Sequence, residues 1–402
     1  TGGAGGGTNS GTQNWFVNYP YTASGTAPTL TRTLNGQTIG TTWGIAYSKP
    51  AKKIFAGALV KRHSGLGVSG SGAIYLLTPS GANSYTATTI FDMDNNSFNT
   101  AGTPITRSRA ASTAPAYGSG TSFTLNNSGT NSTQVTYLGS NDPLTGQPSG
   151  LGVVGSNVDR GLNVNATQYS NDPAAFDQVG KVGLGNIEIS DDGKFLFVVN
   201  LYQRKVFRLE LNNAANPTSV ISVTEYALPV QTCTNGVQRP FGIKYYRKKL
   251  YVGSVCTGEN GGVNTVGGAT NLYAYVYELN NPKGAASFTA TPLISFPLNY
   301  AKGGAMTWTT PDYGLQWYPW VKNTSTTVGS NTDRTLPQPI LADIEFSDRG
   351  DLIMSFLDRG GNQWGENNYI NLSGTSMMKY AIGGDLIIAG LNCAGTYTLE
   401  NS

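Results

Sequence analysis

The chain has 402 residues, of which only 12% are charged while 52 are glycine. Its formal net charge of +3 at pH 7 is too small to indicate nucleic-acid binding, and no apolar run approaches the length of a membrane-spanning helix. Such a chain stays in solution through Ser, Thr, Asn and Gly, a composition typical of extracellular surface proteins.

Residues 1–35 are rich in Gly, Thr and Asn, and they predict an arm or a first irregular strand. The main domain is expected over residues 36–402. Hydrophobic periodicity is lost around residues 95–180, which predicts a polar, loop-rich insertion. We expect one or two blades with long loops there, because long stretches without secondary structure are uncommon inside compact domains.

A pattern of strand, tight turn and strand recurs four times and dominates the fold prediction. Two of the turns contain Gly193 and Gly350 beside aspartates, residue types that tolerate positive φ. A third apolar stretch follows the first three copies, so each repeat is predicted to be a meander of at least three strands. The four copies cover residues 44–57, 186–198, 242–253 and 343–355.

The spacing of the copies predicts how many such units the chain contains. Their equivalent isoleucines, at positions 45, 187, 243 and 344, are separated by three, one and two units of roughly 50 residues. The last interval requires a hidden repeat, for which residues 303–308 are the candidate. The sequence therefore predicts an all-β β-propeller of roughly seven blades. Because the chain stops at a strand and turn, we expect the ring to be incomplete at the C-terminus.

The three cysteines favour an oxidising compartment. Cys233 and Cys256 flank the third repeat, where a hairpin would bring them together, so we predict a disulfide, with two buried thiols as the alternative. Cys393 is then unpaired, either as a free buried thiol or with a partner beyond Ser402.

Few enzymatic constellations are compatible with this sequence. His63 is the only histidine, so a multi-histidine metal site is excluded and a Ser-His-Asp triad would have to use it. Its place just after the second strand of a repeat favours a structural or surface role.

Alignment of the four copies places polar residues at matching positions of the first strand, which is innermost in a propeller. Their side chains are predicted to converge near the axis, where salt bridges and water, a Ca²⁺ ion, or a paired-carboxylate glycosidase site are the three alternatives. The channel or cation-binding candidates are Asn186, Glu188, Lys244, Asp343 and Glu345.

Two further motifs are weaker candidates. Asp92, Asp94 and Asn96 offer oxygen ligands at alternate positions, as calcium loops do, but the closing Glu of an EF-hand is missing, and a polar loop is the alternative. A dense aromatic stretch could bind a ligand or partner, or pack between blades. Its candidate residues are Trp308, Trp317, Tyr318 and Trp320.

Four blocks of sequence resemble the propeller region of large bacterial secreted surface proteins, many of which carry SdrD B-like repeats and use the type IX system. The resemblance implies an extracellular or cell-surface location and carries no catalytic residues over. The family's propeller continues past the equivalent of Ser402, and its repeats and sorting domain are absent here. The blocks are residues 43–47 with 61–63, 182–188 with 199–201, 239–242 with 255–259, and 343–346 with 358–363.

The sequence thus favours a non-enzymatic extracellular β-propeller that serves as a cell-surface, adhesion or self-assembling structural module. Its expected partners are an extracellular glycan or protein, or further copies of itself, with neither nucleic acid nor a membrane span. The alternative is a secreted hydrolase or lyase in which Glu188, Asp343 and Glu345 surround a channel cation such as Ca²⁺.

Overall fold

A computed structural model shows that, of the residues it describes, 50% are in strands and 5% in helices, which confirms the all-β prediction. The residues described are 14–26, 29–67, 69–93, 96–99, 104–106, 135–137, 162, 172–260, 268–303, 315–322, 333–334, 336–369 and 377–400.

The first sheet, blade I, has six strands in the order β1-β2-β6-β5-β4-β3. Residues 14–35 of the predicted N-terminal arm thus contribute two strands to it. The strands are β1 (Asn14–Asn18), β2 (Arg32–Asn35), β3 (Thr42–Ser48), β4 (Lys53–Ala58), β5 (Ala73–Ser80) and β6 (Ser84–Asp92), with helix α1 (Gly36–Ile39) between β2 and β3 and a 3₁₀ turn at Gly70–Gly72.

The predicted insertion contains a small sheet in the order β8-β7-β9, and blades II and III follow as four-stranded meanders. The small sheet consists of β7 (Asn96–Asn99), β8 (Pro104–Thr106) and β9 (Val135–Tyr137). Blade II consists of β10 (Leu184–Ile189), β11 (Phe195–Asn200), β12 (Lys205–Leu211) and β13 (Val220–Ala227), preceded by helix α2 (Pro173–Phe176). Blade III consists of β14 (Gln238–Tyr246), β15 (Lys249–Cys256), β16 (Tyr273–Asn280) and β17 (Ile294–Pro297), with a 3₁₀ turn at Gly268–Asn271.

Blade IV is four-stranded in the order β19-β20-β23-β24, and a small sheet ordered β18-β22-β21 accompanies it. The remaining elements are β18 (Asp333–Arg334), β19 (Pro339–Phe346), β20 (Leu352–Asp358), α3 (Gly360–Gln363), β21 (Glu366–Tyr369), β22 (Met377–Tyr380), β23 (Asp385–Leu391) and β24 (Tyr397–Leu399).

All four predicted hairpins form, as the antiparallel pairs β3–β4, β10–β11, β14–β15 and β19–β20. Two of their turns are closed by positive-φ glycines, as predicted: Gly193 has φ +72° and Gly350 has φ +95°. The first strand of each hairpin carries a register shift just before the isoleucine that is equivalent among the four repeats.

The innermost strands β3, β10, β14 and β19 contact one another in that order, which makes a propeller-like arrangement of four blades. Glycine allows the close approach: a Cβ on Gly44 would lie 2.5 Å from the backbone nitrogen of Ile187, and one on Gly242 would lie 2.8 Å from the carbonyl oxygen of Leu341.

Blades I and II are therefore direct neighbours, and so are blades III and IV. The blades expected from residues 95–180 and from residues 303–308 do not intervene between them, because backbones in contact leave no room for another sheet. Four blades are observed in the described residues, and the ring of roughly seven is not confirmed. Residues 304–308 of the expected hidden repeat lie outside the described residues.

Apolar clusters fill the spaces between blades. Phe55 and Ile74 of blade I pack with Ile187 of blade II, and the largest cluster joins blades II, III and IV through residues such as Phe197 and Ile344. The outer face of blade I is covered by residues from β2 and α1. Burial of these side chains supplies the main stabilisation of the fold.

The ring is joined between blades IV and I at the end remote from the hairpin turns. There the Arg62 amide donates to the carbonyl oxygen of Asn362 at 3.0 Å, and the Arg62 Nη1 donates to the carbonyl oxygen of Gln363 at 3.1 Å.

The predicted disulfide between Cys233 and Cys256 is confirmed, with a Cα–Cα distance of 5.4 Å. Cys393 is a free thiol, exposed in the turn between β23 and β24.

Candidate functional site

The innermost strands place four equivalent residues around the axis, namely Gly44, Asn186, Gly242 and Asp343. The Asn186 amide donates to Asp343 Oδ1 at 2.8 Å, which links blades II and IV across the axis. Each of these two side chains also accepts from the backbone N–H of the next residue, at 2.9 Å in both cases. The glycines of blades I and III leave room for this bridge, which forms the floor of a pocket.

One layer nearer the hairpin turns, the equivalent residues are Ala46, Glu188, Lys244 and Glu345. The Lys244 ammonium lies 2.5 Å from Glu345 Oε1 and 3.4 Å from Glu188 Oε1, so one cation bridges two carboxylates. Blade I contributes only the methyl group of Ala46, and this side of the layer therefore lacks a polar side chain.

Burial perturbs the acids of this site. It raises the pKa of Glu188 to about 7, although Lys244 opposes the shift. Burial also raises the pKa of Asp343, against the hydrogen bond from the Ile344 amide. The pKa of Lys244 is raised because the two glutamates outweigh the effect of its burial. Lys244 thus remains an ammonium at neutral pH while Glu188 titrates there.

Above these two layers lies a pocket of about 870 Å³ that opens at the hairpin-turn end. One wall is apolar and comes from blade I, where Ile45 is 51% and Tyr47 is 54% exposed. The isoleucines that occupy the repeat position of Ile45 in the other three blades are 0% exposed, because each packs against the preceding blade. Those residues are Ile187, Ile243 and Ile344.

The mouth of the pocket is lined by the turns of three blades. Blade I supplies Lys49, blade II supplies Asp191, and blade III supplies Arg247 and Lys248 next to Tyr245. Asp191 is bound to the Lys283 ammonium at 2.6 Å. The mouth therefore combines aromatic surface with charged side chains.

All five axial residues predicted from the sequence meet in this pocket. The alternative of salt bridges along the axis agrees with the contacts of Lys244. A Ca²⁺ ion remains a prediction, and it would have to displace the Lys244 ammonium from between two carboxylates. Among the described residues, no group of three or more His, Cys, Asp or Glu side chains is arranged to hold a metal ion.

The other predicted sites are not brought to this pocket. Asp92 is buried on β6, while Asp94 and the side chain of Asn96 lie outside the described residues. The prediction of an aromatic partner surface is wrong for Trp317, Tyr318 and Trp320, which are buried in apolar clusters. Trp308 lies outside the described residues.

Ile45 and Tyr47 were not predicted as site residues. The signal was present in the alignment, since blade I has small residues, Gly44 and Ala46, where the other blades have polar or charged ones. What the alignment does not contain is the exposure of the side chains between them.

A second polar cluster closes the opposite end of the axis and is structural. Arg359 is fully buried and donates to the carbonyl oxygens of Val179 and Val321, at 2.8 Å and 2.9 Å. Nearby, Glu259 accepts two 2.9 Å hydrogen bonds from Arg239, and these hold its pKa well below the usual range despite burial. These groups satisfy one another, as buried charges must.

The known proteins that resemble this chain do so over part of its length or at low sequence identity. No protein-family profile matches the sequence. Two Dictyostelium discoideum proteins are similar to part of it: Colossin-A is 25% identical over 187 residues, and Colossin-C is 27% identical over 191 residues. Each alignment covers 46% of this chain but only 2% of Colossin-A and 16% of Colossin-C. The chain thus corresponds to a small part of either relative.

Two of the solved structures that align with this chain are α-L-arabinofuranosidases. The enzyme from Clostridium thermocellum is 8% identical with a TM-score of 0.32, and the alignment covers 96% of this chain and 87% of that one. The enzyme from Lactobacillus brevis is 10% identical with a TM-score of 0.28, covering 89% and 94%. Similarity at this level does not bear on activity.

In the described residues, no helix is long and apolar enough to span a membrane.

Proposed function

We propose that this chain is a non-enzymatic extracellular module that binds glycan in its axial pocket. The observation that carries the proposal is the open apolar wall of Ile45 and Tyr47, half exposed opposite the Glu188–Lys244–Glu345 layer. A sugar ring has apolar C–H faces and a rim of hydroxyl groups. Aromatic and aliphatic surface beside fixed hydrogen-bonding groups is the combination that binds such a ligand.

The carboxylates of the pocket already contact other groups of the protein, which supports binding over catalysis. Glu188 and Glu345 share one ammonium, and Asp343 is bound by Asn186 and by a backbone amide. A general base or nucleophile has to be available to the substrate, whereas these carboxylates are committed to partners within the protein. The disulfide and the polar, weakly charged composition support an extracellular location, where adhesion to a glycan-bearing surface is the use we assign.

A glycan array tests the binding, and mass spectrometry of the bound glycan tests for cleavage. We expect binding that falls at least tenfold in Tyr47→Ala and is unchanged in Tyr21→Ala, which removes a fully exposed tyrosine from the N-terminal region. The recovered glycan should keep its mass. Absence of binding to any glycan, or equal loss in both variants, would refute the proposal.

The second candidate is a secreted glycoside hydrolase or lyase, favoured by one observation. Burial raises the pKa of Glu188 to about 7, the range in which a carboxyl group can act as a general acid near neutral pH. Release of aryl alcohol from a panel of aryl glycosides, lost in Glu188→Gln, would establish this activity in place of simple binding.

A further inference from the structure

The mouth of the pocket carries positive charge on two blades that face each other. In the order of inner strands, blades I and III are not neighbours, and each projects exposed cations from its hairpin turn. Blade I projects Lys49, and blade III projects Arg247 and Lys248. Within the described part of the chain, no ion pair joins any of these three cations to a carboxylate.

The acids that line the pocket are engaged elsewhere. Asp191 and Asp192 of blade II share the Lys283 ammonium, at 2.6 Å and 2.8 Å. Glu188 and Glu345 lie deeper and share Lys244. The cations at the mouth are therefore free to meet a ligand.

The turn that carries two of these cations has an unfavourable backbone conformation. Tyr246 pairs directly with Lys249, so Arg247 and Lys248 form a two-residue turn, with φ of 48° and 63°. Turns with two left-handed residues prefer Asn-Gly, and other residue types are strained there. Strain that persists beside a pocket is a reason to look for function in the side chains it presents. The Arg247 guanidinium also lies 5.0 Å from the centre of the Tyr246 ring, which orients it.

We infer that the glycan bound in the axial pocket is acidic, and that Lys49, Arg247 and Lys248 bind its carboxylate or sulfate groups at the mouth. This inference rests on the proposed function and specifies the ligand class. Guanidinium and ammonium groups bind such anions through charge-assisted hydrogen bonds, and the free cations on opposite blades suit a chain with repeated anionic groups.

The test compares matched polysaccharides by biolayer interferometry: neutral dextran, dextran sulfate and polygalacturonate. We expect at least tenfold tighter binding to an acidic polymer than to dextran, with a preference for one of the two anions identifying sulfate or carboxylate as the group bound. The double variant Arg247→Asn/Lys248→Gly should lose this advantage at least tenfold while its melting temperature stays equal or rises, because Asn-Gly suits the turn. Lys49→Gln changes a different turn and should weaken the same binding.

Arg204→Gly is the control for general electrostatic attraction, since Arg204 also has positive φ, at 56°, but follows β11 at the opposite end of blade II. Equal losses in this control and in the double variant would overturn the inference. So would equal binding of dextran and both acidic polymers, a result that leaves the proposed function standing. A protein that binds none of the three and no glycan on the array would refute both.

Discussion

Glu188 is the residue whose charge the axial pocket controls most strongly. Burial, together with the negative charge of Glu345 and Asp343, raises its folded pKa to about 7 from the ordinary 4.5, although Lys244 opposes the shift. The native state therefore binds a proton more tightly than the unfolded state does. Stability from this group is complete below the unfolded pKa and is lost as the pH rises through the folded pKa.

We expect the free energy of unfolding of the wild type to fall by on the order of 3 kcal/mol between pH 4.5 and pH 7 through Glu188 alone. Glu188→Gln should lack this part of the decline, because the amide does not titrate. Urea unfolding at several pH values measures it. Asp358, whose pKa burial raises to about 6, titrates in both proteins and cancels in the comparison. Parallel pH profiles for the two proteins would contradict the account of Glu188.

The five axial residues could be predicted because side chains alternate on a strand and the innermost strand faces the axis. The contacts between these residues could not be predicted, because the Asn186–Asp343 bridge joins blades II and IV and therefore depends on the number of blades. Sequence alone also cannot give the exposure of Ile45, because its repeat equivalents are isoleucines too and only the packing of the ring separates it from them.

At the scale of elements, the hairpins were predicted correctly because two of their turns contain Asp and Gly and their strands are rich in β-branched and aromatic residues. The count of roughly seven blades is not confirmed, because it assumed that every interval between repeats is filled with further blades. Insertions between strands lengthen an interval without adding a blade: β23 pairs with β20 although α3, β21 and β22 lie between them in the chain.

The close contact between the innermost strands of neighbouring blades can be tested by substitution of the glycines that allow it. In Gly44→Ala, the new methyl group would lie 2.5 Å from the Ile187 nitrogen, so we expect unfolding to become easier by about 1–3 kcal/mol. The matched control Gly303→Ala adds a methyl group with no atom within 4 Å, and its effect should stay within about 0.5 kcal/mol. Chemical denaturation of the two variants gives the comparison, and equal stabilities would argue against direct contact of blades I and II.

At the scale of the whole molecule, the two ends of the axis have opposite properties. The hairpin-turn end is an open pocket with free cations, whereas the other end is joined by Arg62 and filled by the buried charges around Arg359. The hydrogen bonds that join blades I and IV lie at the end remote from the pocket mouth, so an open site at the hairpin-turn end leaves them in place.

Arg359 tests this division between a structural and a functional end. Its replacement in Arg359→Leu leaves buried carbonyl oxygens without a donor and should destabilise the fold by about 3–5 kcal/mol. Arg349→Leu removes an exposed arginine paired with Asp351 and should cost less than about 1 kcal/mol. Denaturant midpoints of the two variants measure the difference, and a small effect of Arg359→Leu would contradict a structural role.

The most direct test of the central claim is a crystal structure of the protein with the saccharide that it binds most tightly on the array. The account predicts a sugar ring against Ile45 and Tyr47, with its hydroxyl groups directed to the Glu188–Lys244–Glu345 layer. Sugar bound elsewhere on the surface, with the axial pocket holding only water, would contradict it.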